Sequence, residues 1–133
     1  MTSYIGTKEI QAKGLTAPRV SPEDIEANIL GEVYFTAGDG VAGREARETN
    51  SDAQDIITDE SLNLLTFCVL ILRNGFTVTG ESACVSPKNF DAEIGREVAR
   101  ENAISKIWPL MGYELRCRIA PRSEEQFAPF YCV

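Results

Sequence analysis

Histidine is absent from the 133-residue chain, so the commonest general base, proton shuttle and metal ligand is missing and histidine-dependent chemistry is excluded. Basic residues are scarce as well, 13 Lys and Arg against 20 Asp and Glu, for a net charge of −7. A binder of generic nucleic acid needs the opposite balance, because its affinity comes from neutralised phosphates. The longest apolar run, within the strand-like segment ending at Leu72, is far short of the about 20 residues that cross a bilayer. No membrane partner is expected. The start, MTSYIGTKEI, lacks a basic region followed by an apolar stretch, which predicts a cytoplasmic protein. None of the four cysteines, Cys68, Cys84, Cys117 and Cys132, forms a CxxC pair. A zinc or thioredoxin-like site is therefore not expected, and the cysteines read as reduced, buried small apolar residues. The phosphate-cradling patterns GxxxxGK[ST] and GxGxxG and the nucleophile pattern GxSxG are also missing, so no catalytic residue, metal or cofactor is assigned.

What is present is the composition of one globular domain, 44% hydrophobic and 25% charged, enough for one core and too little for two. The domain spans 1–133, with 1–20 as an arm, 38–60 as a mobile acidic loop and 119–133 as a tail. Ser21-Pro22-Glu23-Asp24 is a helix start: Ser21 caps, Pro22 suits the first helical position and Asp24 reaches back to the cap. This helix should run to about Leu30 and stop at Gly31, with Ile25 and Ile29 as its apolar stripe. Val33, Phe35 and Ala37 alternate with Tyr34 and Thr36, which is strand spacing.

Asn74-Gly75 lies between two strand-like runs and favours a two-residue hairpin turn. That turn pairs Arg73 with Phe76, Ile71 with Val78, Val69 with Gly80 and Phe67 with Ser82 on a core face. Leu72–Thr77, Leu70–Thr79 and Cys68–Glu81 would then form a mixed face open to a partner or ligand. Gly80 inside a strand marks a bulge or a close backbone approach. After Ser86-Pro87 the longest helix should begin near Asn89 or Phe90 and end near Trp108, before Pro109. Ile94, Val98, Ile104 and Trp108 share one broad face. Gly95, Ala99 and Ala103 form a separate stripe, read as the approach surface of a symmetric neighbour. The fold class is α+β: a small antiparallel sheet with a central hairpin, packed by one long helix and a short N-terminal helix.

Chemistry concentrates on few residues. Asp91, Glu93 and Glu97 could be imagined as an all-carboxylate metal site, but Glu93 with Arg96 and Glu97 with Arg100 are ordinary helix-surface pairs. Arg96 and Arg100, four apart beside the small-residue stripe, could clamp a diphosphate or simply form a solvated face. Phe76 at the hairpin tip and Phe90 at the helix start are core residues or stacking platforms. Asn89 reads as a helix cap that could also line a pocket.

The strings RVSPEDIEANI (19–29), VYFTAGDGV (33–41) and LLTFCVLILRNGFTVTGESACVSPKNFDAEIGREVARENAISKIWPLMGY (64–113) resemble a small tailed-phage protein family. The resemblance extends to the phage proteins that counter the Thoeris defence system of the first type. It implies a non-enzymatic sponge, acting in the host bacterial cytoplasm, that sequesters cyclic ADP-ribose isomers or other cyclic nucleotide signals without cleaving them. It also implies a homo-oligomer, a dimer or a higher assembly up to a hexamer. Such a pocket needs a flat face for the adenine and arginines for the diphosphate, and the ligand-binding residues expected are Phe76, Asn89, Phe90, Arg96 and Arg100. The competing readings are a protein-interaction module using the mixed hairpin face and a metal-dependent phosphodiesterase on Asp91, Glu93 and Glu97.

Overall fold

The computed structural model describes residues 7–47 and 60–120. A short helix α1 (Thr7–Ala12) lies within the expected arm, and α2 (Pro22–Asn28) follows the expected cap. Asp24 N donates to Ser21 Oγ at 3.1 Å and Ser21 N donates to Asp24 Oδ2 at 2.9 Å. Two otherwise orphaned backbone donors are thus satisfied reciprocally. Helix α2 stops two residues earlier than expected, because Ile29 already belongs to strand β1 (Ile29–Thr36).

The next element corrects the expectation of a loop from residue 38. Helix α3 (Ala37–Arg47) opens on a reciprocal cap in which Asp39 N donates to Thr36 Oγ1 and Thr36 N to Asp39 Oδ2. Gly38 sits against Asn63, where a Cβ would fall 2.0 Å from Oδ1. The rest of the expected loop, up to residue 59, and most of the expected tail lie outside the described residues. A single 3₁₀ turn, Glu60–Leu64, leads into β2 (Leu65–Leu72) and β3 (Thr77–Ala83).

The three strands form one antiparallel sheet in the order β1-β2-β3. The expected hairpin exists, but its register differs by one residue. Leu72 N donates to Phe76 O and Gly75 N to Leu72 O, so the loop holds three residues, Arg73 to Gly75, with Gly75 at φ 86°. This is a turn followed by a left-handed glycine, the usual alternative to the two-residue loop. The true partners are Leu70↔Val78, Cys68↔Gly80 and Thr66↔Ser82.

A one-residue slip exchanges the faces of a strand, and the core explains which register wins. Cys68, Leu70, Leu72 and Val78 are all buried, together with Ile25, Ala99, Ala103 and Ile107. The expected core residues Phe67, Val69 and Ile71 instead occupy the outer face opposite Glu81, Thr79 and Thr77. A mixed apolar and polar face is present, then, with the expected Thr77, Thr79 and Glu81 of β3 but the other half of β2. Val33 and Phe35 extend it across β1, where the Phe35 and Phe67 rings stack with centroids 5.5 Å apart.

Across the inner face lies α4 (Ala92–Ile119), 28 residues that continue through Pro109. Proline removes the N–H that would meet the Ser105 carbonyl. Pro109 and Ser105 are both exposed, so that carbonyl opens to water and the helix survives. The small-residue stripe is corrected here as well. Gly95, Ala99 and Ala103 are the buried face of α4, not a surface left for a neighbour. At Gly80 an added Cβ would stand 2.1 Å from Ala99 O and 2.3 Å from Ala103 N. The close backbone approach anticipated at Gly80 is therefore made by the chain's own helix. Cys68 and Cys84 are free thiols, as expected, whereas Cys117 is disulfide-bonded, against the expectation that all four are reduced.

Candidate functional site

The five residues singled out from the sequence do not converge within one chain. Asn89, Phe90 and Arg96 gather at the start of α4. A 3₁₀ turn, Pro87–Asn89, precedes it, and Phe90 follows half-buried, with its ring 4.0 Å from where a Cβ on Gly95 would lie. The cap is Asp91 and not Asn89: Asp91 Oδ1 accepts from Glu93 N at 2.9 Å and from Ile94 N at 3.1 Å. Asn89 is left exposed on the turn, and Arg96 is exposed one turn into the helix. Ile94 and Val98, at 59% and 38% exposure, lie two residues to either side of it and so on the opposite face of the helix.

Arg100 is differently placed. Its Nε donates to Glu32 Oε1 at 2.8 Å, and its terminal nitrogens take both oxygens of Glu26 at 3.0 and 2.7 Å. One guanidinium thereby ties α4 to α2 and β1. Glu26, and then Glu32, hold it charged far above the ordinary arginine range, while Arg100 holds the Glu26 carboxyl below its usual value. Tyr34 extends the network, donating to Glu32 Oε2 at 2.9 Å. Burial, seconded by that bond, pushes its hydroxyl well above the usual tyrosine range, and burial also pushes up the neighbouring Cys68 thiol. Arg100 is a structural bridge in the single chain, with its donors engaged by carboxylates.

Phe76 stands at the other end of the sheet. It lines a groove of about 800 Å³ between α2, the hairpin tip and the last turns of α4. Arg19, Arg73, Tyr113 and Arg118 share this groove with it. Arg96 and Tyr113 are separated by 17 residues of α4, roughly 25 Å at the helical rise. The sequence reading missed these groove residues for identifiable reasons. A two-residue turn keeps Arg73 in the strand ladder, whereas the three-residue loop frees it to donate from N to Asn28 O at 3.0 Å and from Nε to Ala27 O. Ending α4 at Pro109 hides Tyr113 and Arg118 altogether.

The chain matches a phage protein family, described by N4 Gp49 and phage Sf6 gene 66, over residues 20–119. It belongs to that family. No curated protein and no solved structure matches it. The matched span covers α2, all three strands and α4, which includes both ends of the molecule just described. Among the described residues, no helix is long and apolar enough to cross a membrane, and no group of three or more Cys, Asp or Glu side chains could hold a metal ion.

Proposed function

We propose that this phage protein is an anti-defence sponge: it binds and sequesters a cyclic ADP-ribose-type immune signal in the host bacterial cytoplasm without cleaving it. The observation that carries the reading is Arg96. Its side chain is exposed on the flank of α4 next to the buried stripe of Gly95, Ala99 and Ala103, four residues before Arg100, and it forms no ion pair among the described residues. An exposed arginine whose donors meet no carboxylate is suited to hold an anion at a boundary that a second copy covers. The site is therefore read as lying between copies of a homo-oligomer. The chain's net charge of −7 is no obstacle, because a small anion responds to the local field of a few arginines. In this site Arg96 takes the diphosphate and Phe90 and Asn89 border the base, while Arg100 acts at one remove by fixing the helix.

The test is to incubate the full chain with a cyclic ADP-ribose isomer, heat-denature it and analyse the supernatant. Intact nucleotide, depleted before heating and released after it, is the expected result. A cleaved product would replace the sponge by the phosphodiesterase. No depletion would leave the interaction module, for which the outer sheet face of Val33, Phe35, Phe67, Val69 and Ile71 is the natural surface.

A further inference from the structure

The groove at the hairpin tip has a chemistry of its own, independent of the reading above. Two aromatic rings and two guanidinium groups define it. Two aromatic rings, Phe76 and Tyr113, line it while remaining 56% and 58% exposed, although an aromatic ring gains most by being covered. Two guanidinium groups, Arg19 and Arg73, line it without forming an ion pair among the described residues. Arg73 is oriented by its Nε, which donates to the Ala27 carbonyl, and its terminal nitrogens meet no carboxylate. The carboxylates of the groove, by contrast, are engaged. Asp24 closes the cap of α2, and Glu114 holds Arg118 through both oxygens, at 2.7 and 2.9 Å. The Asp24 carboxyl is held low by the Ser21 backbone N–H and hydroxyl first, and by Arg19 to a lesser degree.

The balance is a locally cationic groove in an acidic protein, with apolar residues Leu72 and Met111 beneath two uncovered rings. Its volume, about 800 Å³, lies in the range that holds a small ligand of mixed character, about 300–1,000 Å³. We infer that this groove is a second binding site, for a nucleoside diphosphate: the base stacks on Phe76 and Tyr113, and the diphosphate meets Arg73 and Arg19. A flat ring answers the aromatic faces, and an anion of two phosphates answers two unpaired guanidinium groups. Within one chain a site on the Arg96 end does not reach these residues, since the two lie at opposite ends of α4.

The experiment is calorimetric titration of the full chain with ADP, alongside adenosine and inorganic pyrophosphate as separate probes. ADP should bind, and each half alone should bind more weakly. Loss of charge-assisted hydrogen bonds in Arg73→Ala should weaken ADP by about tenfold or more, and Phe76→Ala should weaken adenosine as well as ADP. ADP should still bind the Arg96→Ala protein, and adding Arg73→Ala to that variant should remove the remaining affinity, which separates this site from the sponge site. If the melting temperature of Arg73→Ala falls, because the hairpin has lost its tie to Ala27, Arg19→Ala and Tyr113→Leu decide instead, as neither native side chain carries a hydrogen bond or ion pair among the described residues. Absence of binding at about 1 mM ADP, a concentration that reveals even millimolar affinity, overturns the inference. So does ADP affinity unchanged in the groove variants.

Discussion

Replacing Gly80 with alanine adds one methyl group where α4 rests on β3. The new carbon would stand 2.1 Å from Ala99 O, 2.3 Å from Ala103 N and 2.9 Å from Ala103 Cα. The first two distances are more than about 1 Å inside van der Waals contact, and the obstacles are helix backbone, which cannot rotate aside as a side-chain tip can. An extra methylene that a core absorbs by side-chain shifts costs about 1–3 kcal/mol. Here α4 must lift from the strand and loosen the packing of Cys68, Leu70, Ala99 and Ala103, all with 0% exposure, so at least about 3 kcal/mol is expected. For a chain of this size that is a fall in melting temperature of roughly 10 °C, read by far-ultraviolet circular dichroism. Gly112→Ala supplies the control, since a Cβ at Gly112 meets nothing within 4 Å and alanine in a helix is favoured by about 0.5–1 kcal/mol. A Gly80→Ala protein melting within about 2 °C of wild type would refute the packing of α4 directly on the strand.

Other perturbations probe separate parts of the fold. Gly75→Val forces a β-branched residue to φ 86°; we expect a loss of about 1–2 kcal/mol or more, seen as a lower urea midpoint, and an unchanged midpoint would contradict the three-residue loop. Arg100→Ala removes the tie to Glu26 and Glu32 and should cost about 1–2 kcal/mol, above the usual exposed pair because one guanidinium serves two carboxylates. Arg96→Ala should leave stability within about 0.5 kcal/mol of wild type, so the two arginines part company in a thermal melt before any ligand is added. Acid should destabilise the protein through Glu26. Its carboxyl is held below its ordinary value of 4.5 by Arg100, so the stability it contributes is present above that pH and is lost as the pH falls through the lowered folded value. A Glu26→Gln variant should show a shallower decline in melting temperature over that window, and an identical decline in both proteins would exclude Glu26 as its source.

The local signals in this sequence were legible and the competing tertiary ones were not. The cap of α2 could be read from Ser21-Pro22 and Asp24 because every atom that makes it lies within one turn. The same pattern, Thr36 followed by Asp39, was available for α3, but five residues of AGDGVAGREAR are poor helix formers or glycine, and composition alone points to a loop. The hairpin register turned on a choice between two allowed loops around Asn74-Gly75, which differ little locally. What separates them is which half of β2 joins Val78 and Gly80 under α4, and the observed register buries Cys68, Leu70 and Leu72 there. Pro109 is a helix breaker by propensity, yet it sits on the solvent side of a helix whose other face is buried from Gly95 to Ile107, and packing prevails. For the candidate site, residue type was readable and spatial grouping was not. Phe76 and Arg96 belong to opposite ends of the molecule because α4 runs nearly the whole length of the sheet.

That same placement of α4 constrains how copies of this chain can assemble. Gly95, Ala99 and Ala103 are consumed by contact with Gly80 and Thr66, so a second helix has no access to the small-residue stripe. Among the described residues, two of the apolar surfaces left exposed are Ile94 and Val98 on the far side of α4, and Val33 and Phe35 on the outer face of the sheet. Neither surface contains Arg96, which stands two residues from Ile94 and from Val98 and so roughly 160–200° around the helix axis from both. A pairing through Ile94 and Val98, like one through the sheet, would therefore leave the guanidinium at the edge of the contact. Ile94→Glu distinguishes the two pairings, because a carboxylate at the centre of the first contact should abolish assembly while a sheet-to-sheet dimer would tolerate it. Nucleotide retention lost in Arg96→Ala with the oligomer intact would place the guanidinium at the ligand and outside the contact that holds the copies together.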